Sequence, residues 1–177
     1  FYREATHFEF LAEQILPDLQ QRKKMRIWCA ACSTGEEPYT LSMQVHDSVT
    51  NIDQVDVRIL ATDISPTVLK KAQAGLYEQN QMDGVGVEQK RKYFTEDENN
   101  GQMIYRVRDR VSSMITFARL NLMHPWPMQG PFDAVFCRNV MIYFDRDTRE
   151  SLINRFYEKL RPGGYLFVGH SESLSSL

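Results

Sequence analysis

The chain has 177 residues, 42% of them apolar, 25% charged and 11% aromatic, which fits one packed domain and excludes disorder and a disulfide-stapled miniprotein. Twenty-one basic against 23 acidic residues leave a net charge of -2, so the totals carry no nucleic-acid footprint and no nucleic-acid partner is expected. The longest apolar run, Ile27 to Cys32, falls far short of the roughly 20 residues of a membrane span, and three cysteines favour a reducing compartment, the cytoplasm.

In chain order, Phe8, Leu11 and Ile15 mark one face of a first helix that should falter near Pro17. Met25 to Cys32 reads as a buried strand, and Pro38 suits the first turn of the next helix, with Leu41 and Val45 inside. Val57 to Thr62 is a second buried strand ending in Asp63, and Ser65-Pro66 is a hydroxyl cap followed by proline at the first helical position. From Gly75 to Arg119 the rhythm breaks. Gln89 to Phe94 reads as a short helix and Glu96 to Gly101 as a polar turn. Ile104 to Val111 alternates as a strand, with Arg106, Arg108 and Arg110 on one face and Tyr105, Val107 and Val111 on the other. Met114 to Phe117 is expected to pair with it. Phe132 to Cys137 is a third buried strand. Asp145 caps a helix bearing Leu152, Ile153, Phe156 and Leu160, stopped by Pro162-Gly163-Gly164, and Tyr165 to Gly169 is a fourth strand. The expected fold is therefore α/β: a doubly wound, mostly parallel sheet with helices on both faces and a small inserted antiparallel β-subdomain at about 75–119.

Such a layout puts a ligand at the carboxyl ends of the strands. The first strand runs into Cys32-Ser33-Thr34-Gly35-Glu36-Glu37-Pro38, a small-residue turn ahead of a helix N-terminus. This is not G-x-G-x-x-G. Two glutamates stand where a dinucleotide's pyrophosphate needs room, which argues against NAD or FAD and suits a cationic ligand; the plainer reading is that they complement the helix dipole. Asp63, 28 residues after Gly35, either accepts hydrogen bonds from ribose hydroxyls or shares in capping the next helix with Ser65. Together these features point to S-adenosylmethionine, which carries a ribose, an ammonium and a sulfonium but no phosphate.

Trp28-Cys29-Ala30-Ala31-Cys32 contains a W-C-x-x-C run of the kind found in thioredoxin-like oxidoreductases, whose first cysteine sits at a helix N-terminus. Here Cys29 falls inside a strand, so buried structural cysteines are expected, with a thiol oxidoreductase as the weaker alternative. Cys137 is the only other thiol, and His7, His46, His124 and His170 are scattered without metal spacing; no metal site is expected. Arg22-Lys23-Lys24 and Lys90-Arg91-Lys92 read as solvated faces, whereas the Arg106, Arg108, Arg110 row makes a local positive patch.

Five segments read together carry a resemblance: Phe1-Tyr2-Arg3-Glu4; Cys32 to Tyr39; Ala61-Thr62-Asp63-Ile64; Gly130 to Phe144, with Cys137-Arg138-Asn139-Val140-Met141-Ile142-Tyr143-Phe144 the most specific block; and Gly169-His170-Ser171-Glu172-Ser173. The series, in order and almost end to end, resembles the CheR family of bacterial chemotaxis methyltransferases, which esterify receptor glutamates using S-adenosylmethionine. The resemblance implies a Rossmann-like methyltransferase domain over 1–177. It implies that Arg3, Glu37 and Asp63 bind the cofactor, Asp63 at the ribose, that Asn121 and Leu122 flank adenine and ribose, and that Arg138 and Asn139 close the pocket. Tyr143, with Arg3, would stand nearest the transferred methyl. The implied partners are cytoplasmic helices of chemoreceptors, with a receptor C-terminal peptide held by the β-subdomain in some members, and the enzyme is expected to be monomeric, without membrane insertion. The family also carries a helical domain upstream and a last strand beyond Leu177. The chain opens at Phe1 rather than Met, which reads as an excised piece. The alternative is a non-catalytic S-adenosylmethionine-binding interaction module.

Overall fold

The apolar runs of the sequence become the strands of one parallel sheet. In the computed structural model, which describes residues 1–172 and 174, β1 (Lys24–Cys29), β2 (Asp56–Asp63), β6 (Ile115–Arg119), β7 (Phe132–Cys137) and β8 (Leu160–Val168) lie in the order β6-β2-β1-β7-β8, every pair parallel. The chain winds outward from β1 through β2 to β6, then returns to β7 and β8. The sheet is doubly wound, with its switch point between β1 and β7.

Period-two alternation sorts the side chains. Met25, Ile27 and Cys29 of β1 join Leu11, Leu19, Leu41 and Val45 in one core; Trp28 and Ala30 join Val135, Leu152 and Phe156 in another. The first core is roofed by α1 (Ala5–Phe10), a π-helical stretch (Leu11–Ile15), α2 (Leu16–Arg22), α3 (Glu36–Ser48) and α4 (Pro66–Ala74). The second is covered by α7 (Arg146–Lys159) and the loop bearing Leu122 and Trp126. Among the described residues no helix is long and apolar enough to cross a membrane.

Several boundaries differ from expectation. The first helix does not stop at Pro17. It loosens into the π turn just before the proline, which offers no N–H and whose ring crowds the preceding turn, and then runs on to Arg22. β1 ends at Cys29 rather than Cys32, although Ala30 N still donates to Phe136 O at 2.8 Å and Cys32 N to Thr62 O at 2.9 Å. β8 begins at Leu160, not after the Pro-Gly-Gly. Its pairing jumps from Phe132↔Leu160 to Ala134↔Tyr165, with Gly163 at φ 77°, so those residues form a bulge and not a break.

The inserted sheet has the order β3-β5-β4, all antiparallel, from β3 (Leu76–Glu78), β4 (Phe94–Asn99) and β5 (Gln102–Val107). Glu96 to Asn99 is strand; only Asn100 and Gly101 turn, both at positive φ (51° and 77°), the two-residue hairpin that Asn-Gly favours. α5 (Val87–Tyr93) precedes it. β5 stops at Val107 and the chain then coils into α6 (Asp109–Ser112), so Arg106, Arg108 and Arg110 do not share a strand face. They nevertheless border one surface hollow of about 680 Å³ together with Arg91 and Lys92. Met114 to Phe117 does not pair with the insertion. Ile115 to Phe117 lie in β6, against β2 from Ile59↔Ile115 to Asp63↔Arg119, and Met114 O just ahead of the strand accepts Ile59 N at 2.8 Å.

At the amino ends of the strands, the buried Asp133 accepts Arg26 N at 2.7 Å and Arg161 Nε at 2.5 Å and also pairs with Arg22, which leaves the solvated run expected of it.

Candidate functional site

The carboxyl ends of β1, β2 and β7 open into a cavity of about 810 Å³ lined, among others, by Arg3, Glu37, Asp63, Arg138, Asn139 and Tyr143. Six predicted site residues, spread over 140 positions of sequence, thus meet at the switch point. Asn121 and Leu122 do not border the cavity. They follow β6, where Asn121 Oδ1 accepts Met123 N at 2.9 Å and Leu122 is buried in the second core, one strand beyond Asp63.

The turn into α3 depends on Gly35. Its φ is 97°, and a Cβ there would come within 2.9 Å of both Ala72 Cβ and Tyr77 Oη. Tyr77, from the inserted sheet, donates to Thr34 O at 2.7 Å, so the insertion buttresses the loop. Glu36 and Glu37 open α3, where the helix dipole favours them, but their environments differ. Glu36 takes the Thr34 hydroxyl on both oxygens, at 2.6 and 2.9 Å, and borders the cavity. Glu37 Oε1 takes the Cys29 thiol at 2.8 Å and Oε2 takes Arg138 Nε at 2.5 Å.

Arg138 is the hub. Its side chain is 3% exposed; one terminal nitrogen lies 2.7 Å from Arg3 O, 3.1 Å from His7 Nδ1 and 3.4 Å from Glu4 Oε2, and the guanidinium lies over the Phe8 ring. Glu4, His7 and His170 bring their polar side-chain atoms within 4.8 Å of one another here, a grouping their sequence spacing did not reveal, and Arg138 reaches the Glu4 and His7 members of it. Burial, with Arg138 second, lowers the His7 pKa.

Ser65 caps α4 by accepting Val68 N at 3.4 Å, and Asp63 holds the turn ahead of that cap. Oδ1 accepts Ser65 N at 3.0 Å and Oδ2 accepts Ser33 N at 2.9 Å. A carboxylate has about four acceptor sites, so each oxygen retains one for a ribose hydroxyl. Glu36 likewise keeps acceptor capacity toward an ammonium. The donor set fits S-adenosylmethionine.

Arg3 and Tyr143 border the same cavity and are exposed, Tyr143 by 79%. The three cysteines are free and buried. Cys29 is fully buried and its pKa is raised well above the ordinary value by burial, with Glu37 next; burial and then Asp63 push Cys32 up to about 12; burial also raises Cys137. Each shift favours the thiol over the thiolate, the opposite of what a redox-active cysteine needs.

Sequence reasoning assigned no role to Glu172, whose buried carboxylate accepts backbone N–H groups from Asn139, Val140, Ile142 and Gly169. The Gly169–Glu172 segment of the resemblance was the available signal; Ser173 of the same segment lies outside the described residues.

A doubly wound sheet with a carboxylate-lined cavity at its switch point defines a Rossmann-like nucleoside-cofactor domain. Within that class the chain belongs to the CheR methyltransferase family: the family model described as CheR methyltransferase, SAM binding domain, matches residues 1–177, and the cofactor is S-adenosylmethionine. A probable chemotaxis protein methyltransferase of Rhizobium etli is 44% identical over 99% of this chain and 67% of its own length. The chemotaxis protein methyltransferase of Salmonella typhimurium is 39% identical over 100% of this chain and 60% of its own, so the chain spans about two thirds or less of these relatives. Among solved structures, a TehB-like SAM-dependent methyltransferase from Corynebacterium glutamicum is matched over 93% of this chain and 69% of its own, at 16% identity and a TM-score of 0.49.

Proposed function

We propose that this domain transfers the methyl group of S-adenosylmethionine to glutamate side chains on cytoplasmic helices of chemoreceptors, giving glutamate methyl esters that serve sensory adaptation. The observation that carries the reading is that one cavity is lined both by the carboxylates of Glu36, Glu37 and Asp63, suited to a cationic cofactor, and by the exposed Arg3 and Tyr143, suited to an anionic acceptor.

When bound, S-adenosylmethionine supplies a methyl on a sulfonium; the substrate oxygen bonds the methyl carbon in line while the C–S electron pair stays on sulfur. A glutamate carboxylate has an ordinary pKa of about 4.3 and is ionised at neutral pH, so no residue of the chain has to take a proton. Arg3 favours the ionised carboxylate and aligns it, and the Tyr143 hydroxyl donates a positioning hydrogen bond. Asp63 would hold the ribose and the acidic opening of α3 the ammonium. Arg138, paired to Glu37, keeps the wall in register, and Asn139 closes it. Opposite charges neutralise on the way to the transition state, so a partly desolvated wall lowers the barrier. The basic hollow at Arg106, Arg108 and Arg110 suits docking of a receptor peptide.

The test is labelling of receptor fragments by the full-length protein with methyl-labelled cofactor, followed by mild alkali. Release of the label as methanol supports carboxylate esterification. Label that survives alkali, as an N-methyl group would, refutes it.

A further inference from the structure

We propose that Glu172 is a positioning residue for this site: its buried carboxylate sets the backbone of residues 138–143 and, through it, where Asn139 and Tyr143 stand in the cavity. This rests on the methyl-transfer reading above for its kinetic consequences, but not for its binding consequence.

Glu172 is 4% exposed. Oε2 accepts the N–H groups of Asn139 and Gly169, both at 2.7 Å, and Oε1 those of Val140 at 2.9 Å and Ile142 at 3.2 Å. Four donors fill the roughly four acceptor sites of a carboxylate. Among the described residues no cation pairs with it, so its charge is balanced by backbone dipoles that must stay aimed at it. The clamp is reciprocal. Residues 138–140 belong to neither helix nor strand, and only a short 3-10 turn, Met141–Tyr143, follows; Asn139 holds φ 60°, in the left-handed region that asparagine tolerates better than most non-glycine residues. The room for this comes from Gly169, where a Cβ would stand 2.8 Å from both Asn139 Oδ1 and Glu172 Oε2. One carboxylate therefore ties the carboxyl ends of β7 and β8 together and aims the segment that carries Arg138, Asn139 and Tyr143 to the cavity wall. The neighbouring Ser171 lines the same wall.

Glutamine at this position offers one acceptor oxygen and turns an NH2 toward two of the four donors, whereas aspartate keeps the charge on a shorter arm. In the full-length protein, Glu172→Gln is expected to weaken S-adenosylhomocysteine binding severalfold by calorimetry and to lower kcat about tenfold or more, with KM for receptor within about threefold, because small displacements of positioning groups act on turnover. Glu172→Asp should recover part of both losses. In a Tyr143→Phe background, Glu172→Gln should cost less than it does alone, since both changes act through the same group. Cofactor affinity and kcat within about twofold of wild type, or losses that multiply in the double variant, overturn the proposal. If neither Glu172 variant folds, the residue serves the fold and the proposal also fails. If the wild-type protein binds S-adenosylhomocysteine but methylates nothing, the proposed reaction falls, and the affinities of the Glu172 variants still decide this inference.

Discussion

Replacing Arg138 with methionine keeps most of the side-chain volume and removes a guanidinium that is 3% exposed and reaches Glu37, Glu4, His7 and the Arg3 carbonyl at once. Glu37, 16% exposed, would retain only the Cys29 thiol as a donor. Removing one member of a buried ion pair costs about 3–5 kcal/mol, because the other charge is left unpaired; the residual access of Glu37 to water places the expected loss near the lower bound, about 3 kcal/mol. At roughly 2–4 °C per kcal/mol for a chain of this size, the melting temperature should fall by about 6–12 °C. The orphaned carboxylate is the cause, so adding Glu37→Gln should restore more than half of the loss, even though it removes a second native contact. The assay is urea unfolding followed by circular dichroism at pH 7 on the wild type, both single variants and the double. An Arg138→Met protein within about 1 kcal/mol of wild type, or a double variant no more stable than Arg138→Met, would refute this account of the buried charge.

Asp63→Ala should weaken S-adenosylhomocysteine binding at least about tenfold, since each hydrogen bond to a charged acceptor is worth about 1.5–3 kcal/mol. It should also lower the melting temperature by a few degrees, because Ser33 N and Ser65 N lose their acceptor; unchanged affinity on calorimetric titration would remove Asp63 from the site. Cys29→Ala with Cys32→Ser should retain methyl transfer, with some loss of stability from altered packing, and a folded but inactive double variant would contradict the structural reading of these thiols. His7 carries a folded-state pKa below its ordinary 6.5, so the unfolded chain binds more protons just below that value and stability should fall as pH drops through 6.5 and level off above it. Urea midpoints of wild type and His7→Gln between pH 5 and 8 should therefore diverge only on the acid side, and parallel curves would refute the linkage. Reversing the charges of Arg106, Arg108 and Arg110 should raise KM for receptor, most at low salt, because exposed charges are screened beyond about 10 Å at 0.1 M; a fall in kcat at saturating receptor with KM unmoved would contradict a docking role.

The parts of this protein that the sequence determined by itself are those governed by neighbours in the chain. β2 and β7 are parallel strands whose middles, Ile59-Leu60-Ala61 and Ala134-Val135-Phe136-Cys137, read as short apolar runs. Ser65 and Asp145 cap helices by accepting the N–H groups of Val68 and Thr148, three residues on. The Asn100-Gly101 hairpin was equally local, and its dipeptide was the signal that the polar-turn reading passed over. The five motif segments carried the family and most of the cavity wall as well. Tertiary structure alone decided what depends on contacts between distant residues. β6 belongs to the main sheet, parallel to β2 and 56 residues on in register, Ile59 against Ile115. Arg138 meets Glu37 across 101 residues, and Glu172 meets Asn139 across 33. Periodicity and capping report a residue's own helix or strand, whereas a buried charge is held by whichever partners the winding of the sheet brings beside it. That winding gathers Glu37, Arg138 and Glu172 at the carboxyl ends of β1, β7 and β8, where the cavity forms.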